Sequence, residues 1–514
     1  MEVPVYPGTL WELLAARARR QPDRVLLEDD RGGSLTAARW QAAAERVAAG
    51  LQARGVGPGT VVSWQLPTRL DAPILVMALA RLGAVQNPII PILRRREVGF
   101  IVGQTGARLL ITPRVWRGFD YAAMAGEIAA EAGVQTLVLE DGAAGGGLPE
   151  GDPATLPPPP TGEGDPVRHI YYSSGSTADP KGARHTDTSV MNAATGTILG
   201  YEVGPDDCIP IPFPYTHIGG MAMTVVGLHT GARALLIETF DREQSPLVMA
   251  EKGGTILGSA VPFFHAYIDA QRRHGTEPLF TKLKAFASGG APKPPELYYE
   301  MKELFGVGIV SSWGLTEFPI ATVCTLDDSD EDLALTEGRM VPGVELRVVG
   351  TDGREVAAGE EGELRLRGPQ MCRGYVDPAL DADAVDEHGF FRTGDLGVVG
   401  PRGHVRITGR IKDIIIRNAE NISAQEIENV LYTHPQVADV AVIGVPDART
   451  GERACAVVVP ADGAEPPSLA DLARFCRDQQ LANQKIPERL EIVAALPRNA
   501  LGKILKQELR RTYR

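Results

Sequence analysis

The stretch "YYSSGSTADPKGARHT", Tyr171 to Thr186, carries residue types suited to holding phosphate. A strand-like run enters Ser173-Ser174-Gly175-Ser176-Thr177, which offers four hydroxyls and successive backbone N–H groups, the makings of an anion-binding concavity. Lys181 adds a point charge suited to a β- or γ-phosphate. The spacing is not that of G-x-x-x-x-G-K-[ST]. After Gly175 come Pro180, Lys181 and Gly182, so the second glycine and the metal-binding hydroxyl are missing. Alone, a Ser/Gly run is more often a polar surface turn.

Such a loop needs a frame to aim it. Residues 36–54 place Trp40, Ala44, Val47 and Leu51 on one helical face, with Gly55 as a stop. "TVVSWQL" reads as a strand, "DAPILVMALARLGA" as a more buried helix, and "RLLITP" and "VQTLVLE" as short buried strands. This alternation predicts an α/β architecture with a largely parallel sheet. The Pro/Gly-rich stretch 151–166 reads as a linker delivering the chain to the strand "VRHIYY". A second α/β run extends to about residue 330, and "VELRVVG", "EGELRLRG" and "GHVRITGR" predict a β-rich subdomain. After Arg410 the pattern becomes that of a small α+β unit, with Ser468 placed to cap a helix. The division is therefore 1–410 and 411–514.

At 514 residues the chain exceeds one hydrophobic core. Its 44% hydrophobic and 23% charged residues are those of an ordinary globular protein. A net charge of −13 excludes non-specific nucleic-acid binding, so an anionic ligand must meet local donors. Five scattered cysteines without a C-x-x-C pair favour a reducing compartment and no structural zinc. The first residues have no apolar core of signal-peptide type, and the most apolar stretch is broken by Arg81, Gln86, Asn87 and prolines. The expectation is a cytoplasmic protein without a membrane span. The oligomeric state, a homodimer included, stays open.

The loop is followed, in fixed order, by "PYTHIGG", "SGGAP", "WGLTE", "RTGD", "GRIKDIII" and "LPRNALGK". Together these resemble the core motifs of the adenylate-forming superfamily of acyl-CoA synthetases, non-ribosomal adenylation domains and luciferases, from about residue 10 to the end. The resemblance implies ATP, Mg2+ and coenzyme A, and attack at the α-phosphate with loss of pyrophosphate. It implies that Ser174, Gly175, Ser176, Thr177 and Lys181 hold the pyrophosphate end of ATP, and that Gly290, Ala291 and Pro292 form the adenine wall. Ala178 stands where the family usually has glycine. Thr316 would contact the α-phosphate, Glu317 would bind magnesium, and Trp313 stands where many relatives have a stacking tyrosine. Asp395, after a glycine turn, would accept the ribose hydroxyls with Arg410 donating to the same sugar.

Lys503 resembles the catalytic lysine, a cation reaching both the substrate carboxylate and the α-phosphate. Lys412 matches the hinge about which the C-terminal domain turns between adenylation and thioester formation. Ala419 and Ala424 replace a usual glycine and proline, and the methyl of Ala419 would narrow a coenzyme A channel. His217 has two readings, a core histidine satisfied by backbone or an aromatic gate over the carboxylate and acyl pocket. That pocket is expected from Gly219, Gly220, Met221, Met223, Val261, Phe263 and Phe264, with the glycines leaving space. Its apolar lining points to a neutral fatty, alicyclic or aryl acid, and the run "TADPKGARHT" resembles cyclohexanecarboxylate– or medium-chain fatty acid–CoA ligases. Two other readings stay open: loading of a carrier protein's phosphopantetheine, and a non-catalytic nucleotide-binding relative.

Overall fold

Thr36 caps the helix Ala37–Gln52 by accepting from the Arg39 N–H at 3.3 Å. The predicted stripe Trp40, Ala44, Val47 and Leu51 is buried. The next helix, Asp71–Leu82, is buried on every side except at Asp71 and ends on Gly83 in the left-handed region (φ 64°). A helix apolar all round belongs inside a core, and these two pack together over a six-stranded sheet. The computed structural model describes residues 2–140, 147–173, 180–290, 293–417, 420–447, 449–499 and 502–514.

The six strands run in the order Lys181–Thr186, Val167–Ser173, Val85–Pro88, Val61–Trp64, Leu109–Pro113 and Gln135–Leu139. All neighbours are parallel except the first pair, which is antiparallel with Lys181 opposite Ser173. The phosphate-type loop therefore joins two adjacent antiparallel strands. A P-loop passes instead from a strand into a helix N-terminus, which is the structural reason the spacing differs.

A second sheet holds Ile256–Ser259, Ala285–Ser288 and Ile309–Trp313 in parallel, extended by two short antiparallel strands. A third joins Cys208–Ile211, Arg233–Leu236, Val25–Asp29 and Ser34–Thr36. One continuous hydrophobic cluster from Leu10 to Val341 unites these layers. The β-rich subdomain has four strands, not the three expected: Phe391–Val399 lies between Gly362–Arg367 and Val405–Arg410. The stretch 151–166 is also more than a linker. Its Gly151 N–H donates to Arg46, Arg81 donates to the Pro157 carbonyl at 2.7 Å, and a Cβ on Gly162 would stand 2.4 Å from the Gly8 carbonyl oxygen. It is a strap fastened across two helices.

Beyond the short turn Ile411–Asp413, a separate sheet contains Ile414–Arg417, Glu420–Ser423, Val437–Asp447, Gly451–Pro460 and Arg489–Ile492. Helices Ala424–Tyr432 and Leu469–Asp478 cover it, the second opened by a Ser468–Asp471 capping box. Ile415, Ile427, Leu431, Val442, Val458 and Leu472 form its own core. Among the described residues, no helix is long and apolar enough to cross a membrane.

Candidate active site

The strand Ile309–Trp313 ends at an indole whose N–H donates to Oδ2 of Asp395 at 2.9 Å. Asp395 stands opposite Arg410 in the antiparallel register, with Arg410 Nε 2.6 Å from Oδ1. Asp395 is 2% exposed, and Arg410 pairs with it where water does not reach. The glycine turn expected before it is a bulge inside a strand: Thr393, Gly394 and Asp395 fall between residues paired to Leu364's neighbours, with Gly394 at φ 68°. Trp313 packs with Phe318, Leu364, Leu366 and Val405. Its ring thus anchors the carboxylate through the indole N–H.

The turn after Trp313 is tight, since a Cβ on Gly314 would lie 2.3 Å from the Ile320 nitrogen. The Thr316 carbonyl accepts from Nε2 of His185 at 2.8 Å. A carbonyl only accepts, so Nε2 bears the proton and Nδ1 accepts from the Ser189 hydroxyl at 2.9 Å. Burial holds the His185 pKa down to about 3, which keeps this ring neutral. Glu317 is nearly buried, and its Oε1 accepts from the Tyr375 hydroxyl at 2.8 Å. Burial, with the adjacent Glu317 carboxylate, pushes the Tyr375 phenol pKa upward and keeps it a donor. Lys181 places its Nζ 5.7 Å from the centre of the same ring.

His185 and Tyr375 are absent from the sequence reading. Tyr375 reaches the site because residues 374–376 pair with Lys181–Thr186: the Arg184 N–H donates to Gly374 at 2.9 Å and the Val376 N–H to Gly182 at 2.8 Å. Only long-range pairing reveals it.

Lys503 arrives on a turn closed by its own N–H donating to Asn499 Oδ1 at 2.9 Å. Burial lowers its pKa to about 8, helped by Arg410 and Lys412 and opposed by Asp395 and Asp413. The fold thus brings Lys503, on its turn, near Lys412 and near Asp395 and Arg410 of one sheet. Lys412 itself lies in the turn Ile411–Asp413.

His217 caps the helix Ile218–Thr230, its Nδ1 accepting from the Gly219 N–H at 3.1 Å. Burial lowers its pKa to about 4, so it is a neutral ring with Nε2 protonated. It borders a cavity of about 10 Å³ lined also by Tyr171, Tyr172, Thr216 and Thr316.

Two pocket expectations are corrected. The space at Gly220 is filled, because a Cβ there would lie 2.1 Å from the Tyr215 carbonyl oxygen. Phe264 is wholly buried between Tyr267 and Phe286 in the aromatic core and lines no open surface. Met221 is buried as well, while Phe263 meets Phe240 edge-on at 4.7 Å. Met223 and Val261 are part-exposed beside the core. Gly290 has φ 82° and open space above its Cα. Ser174, Gly175, Ser176, Thr177, Ala291, Pro292 and Ala419 lie outside the described residues.

Residues 14–376 match the AMP-binding enzyme family, and residues 426–503 match the AMP-binding enzyme C-terminal domain. The chain belongs to this family. It is 29% identical to the medium-chain fatty-acid–CoA ligase of Escherichia coli (strain K12), over 96% of this chain and 88% of that one. It is 32% identical to the salicyl-AMP ligase / salicyl-S-ArCP synthetase of Mycobacterium tuberculosis (strain H37Rv), over 98% and 90%. ATP-bound MatB from Rhodopseudomonas palustris superposes with a TM-score of 0.88 at 27% identity, covering 99% of each chain. The apo form of MatB gives 0.77, again over 99% of each chain at 27% identity. The chain is an AMP-forming acid–thiol ligase that uses ATP and Mg2+. The donors fit that set. One carboxylate, Glu317, suits a hard cation that keeps phosphate oxygens and waters as its other ligands. No group of three or more His, Cys, Asp or Glu among the described residues is arranged to hold a metal alone.

Proposed function

We propose that this site joins a neutral fatty, alicyclic or aryl acid to AMP and then passes the acyl group to coenzyme A. The observation that carries the reading is the convergence of Lys503 with Asp395 and Arg410, from opposite sides of the junction at residues 410–411. Asp395, set by Trp313 and Arg410, accepts the ribose hydroxyls. Gly290, Ala291 and Pro292 flank the base. Ser174, Gly175, Ser176, Thr177 and Lys181 hold the β- and γ-phosphates, and Thr316 contacts the α-phosphate. Mg2+, when bound at Glu317, supplies charge neutralisation to the phosphates.

A carboxylate oxygen of the acid attacks the α-phosphorus while the bond to the bridging oxygen of pyrophosphate breaks. Two anions approach each other in this step, and the Lys503 ammonium stabilises the charge gathered between them. His217, neutral and fixed at a helix N-terminus, gates the carboxylate. In the second step the thiol attacks the acyl carbon and AMP leaves. Residues 411–514 act as a mobile domain hinged at Lys412, and Ala419 borders the thiol channel in the other orientation. The higher TM-score with ATP-bound MatB than with the apo form supports an adenylate-forming arrangement here. Met223, Val261 and Phe263 supply the apolar acyl contacts. The five cysteines, all free and buried, support a reducing, cytoplasmic setting.

The test is one incubation with ATP, Mg2+ and a mixed panel of carboxylic acids, with and without coenzyme A, read by mass spectrometry. AMP, pyrophosphate and a new acyl-CoA are expected; ADP would overturn the reading. The relative named as a salicyl-AMP ligase / salicyl-S-ArCP synthetase favours a second reading, transfer to a carrier protein. Acyl-AMP that coenzyme A fails to consume would select it.

A further inference from the structure

The helix Val261–His274 begins at the proposed acyl pocket and bears the face on which the C-terminal domain docks. Pro262 and His265 are one turn apart and share that face. Gly502, beside Lys503, rests on Pro262: a Cβ there would lie 3.3 Å from its ring. Nε2 of His265 and the Tyr432 hydroxyl share a hydrogen bond of 2.8 Å. Tyr432 closes the helix Ala424–Tyr432, which the Val442 N–H fastens to the strand Val437–Asp447 by donating to Glu428 at 2.6 Å. Arg498, in the Lys503 turn, donates to Asp439 of that strand at 2.5 Å. Tyr432 and Lys503 therefore ride on one rigid piece, while His265 rides on the body.

We propose that the His265–Tyr432 hydrogen bond is a latch specific to the adenylate-forming orientation, positioning Lys503 at Asp395 and breaking before thioester formation. The inference rests on the two-orientation reading above. Neither residue touches a reacting atom; both are positioning residues. Burial lowers the His265 pKa and raises that of Tyr432, so the bond joins neutral groups. A neutral bond is weak enough to open in each catalytic cycle.

Tyr432→Phe removes one hydroxyl and keeps the ring. In the full-length protein, acid-dependent ATP–pyrophosphate exchange with octanoic or benzoic acid should fall about 3- to 10-fold, the span of one neutral hydrogen bond. Thioester formation from supplied octanoyl- or benzoyl-adenylate and coenzyme A should hold or rise. His265→Leu should match it, and the double variant should be no worse than either single one. A second readout needs no turnover: dyes on Arg54→Cys and Asp478→Cys, the native thiols being buried, report the distance between body and domain with ATP and Mg2+ alone. Tyr432→Phe should lower the population in the closed arrangement. Equal losses in both half-reactions, or an unchanged dye distance, would overturn the latch. Absence of exchange in the parent with every acid would instead defeat the ligase reading and leave the dye experiment to decide the latch.

Discussion

The Asp395 end of the site is assembled from strands of one body, with Trp313 and Arg410 built into neighbouring ladders. The Lys503 end arrives on a turn from another sheet and rests on Pro262. Under the proposed function, nucleotide-binding geometry is fixed at folding, whereas the Lys503 cation reaches the site only when the domain is docked. A charge that can leave must be held by weak contacts, and one that cannot can be buried deeply. Changes in the body should therefore weaken ATP binding and the fold together, and changes at the turn should strike one half-reaction alone.

The sharpest break of that contrast is Lys503→Ala. Adenylate formation should fall about 100- to 1,000-fold, the usual cost of one preorganised donor, while acyl transfer from supplied acyl-AMP is spared. Comparable damage to both steps would show that the lysine serves the whole fold. On the body side, Trp313→Phe removes a hydrogen bond to a buried carboxylate, which is worth about 1.5–3 kcal/mol. The KM for ATP should rise about tenfold and Tm should drop; a changed transfer step with an unchanged KM would contradict the assignment.

Acidity sharpens the same comparison. The Lys503 cation is lost as pH rises through about 8, so kcat/KM for adenylation should decline above that pH. Lys503→Arg should remove the decline. Smallest is Tyr375→Phe, which frees the Glu317 carboxylate to rotate and should raise the Mg2+ needed for half-maximal rate about threefold, near one ordinary hydrogen bond.

Much of this was readable in one dimension. The buried stripe of Ala37–Gln52 obeys its period, and the ordered motifs name the chemistry. The failures have physical causes. Phe391–Val399 hid behind Thr393, Gly394 and Asp395, which read as a turn and form a bulge. Phe263 and Phe264 are adjacent, and nothing local says which of them is wholly buried in the aromatic core. Gly220 looked like room for substrate because a sequence does not display the Tyr215 carbonyl that occupies it. Tyr375 and His185 act through partners far along the chain.

The antiparallel pairing of Lys181 with Ser173 bears on product release. Chain leaving the loop enters a strand, so the site does without the helix dipole that grips anions in a P-loop. Under the proposed function, the hold on a departing polyanion falls to the loop hydroxyls and to Lys181, which is part-exposed. A Debye length of about 8 Å at physiological ionic strength screens such a hold readily. Ordinary cellular salt should then hasten the exit of pyrophosphate, making ionic strength a control on the overall turnover rate.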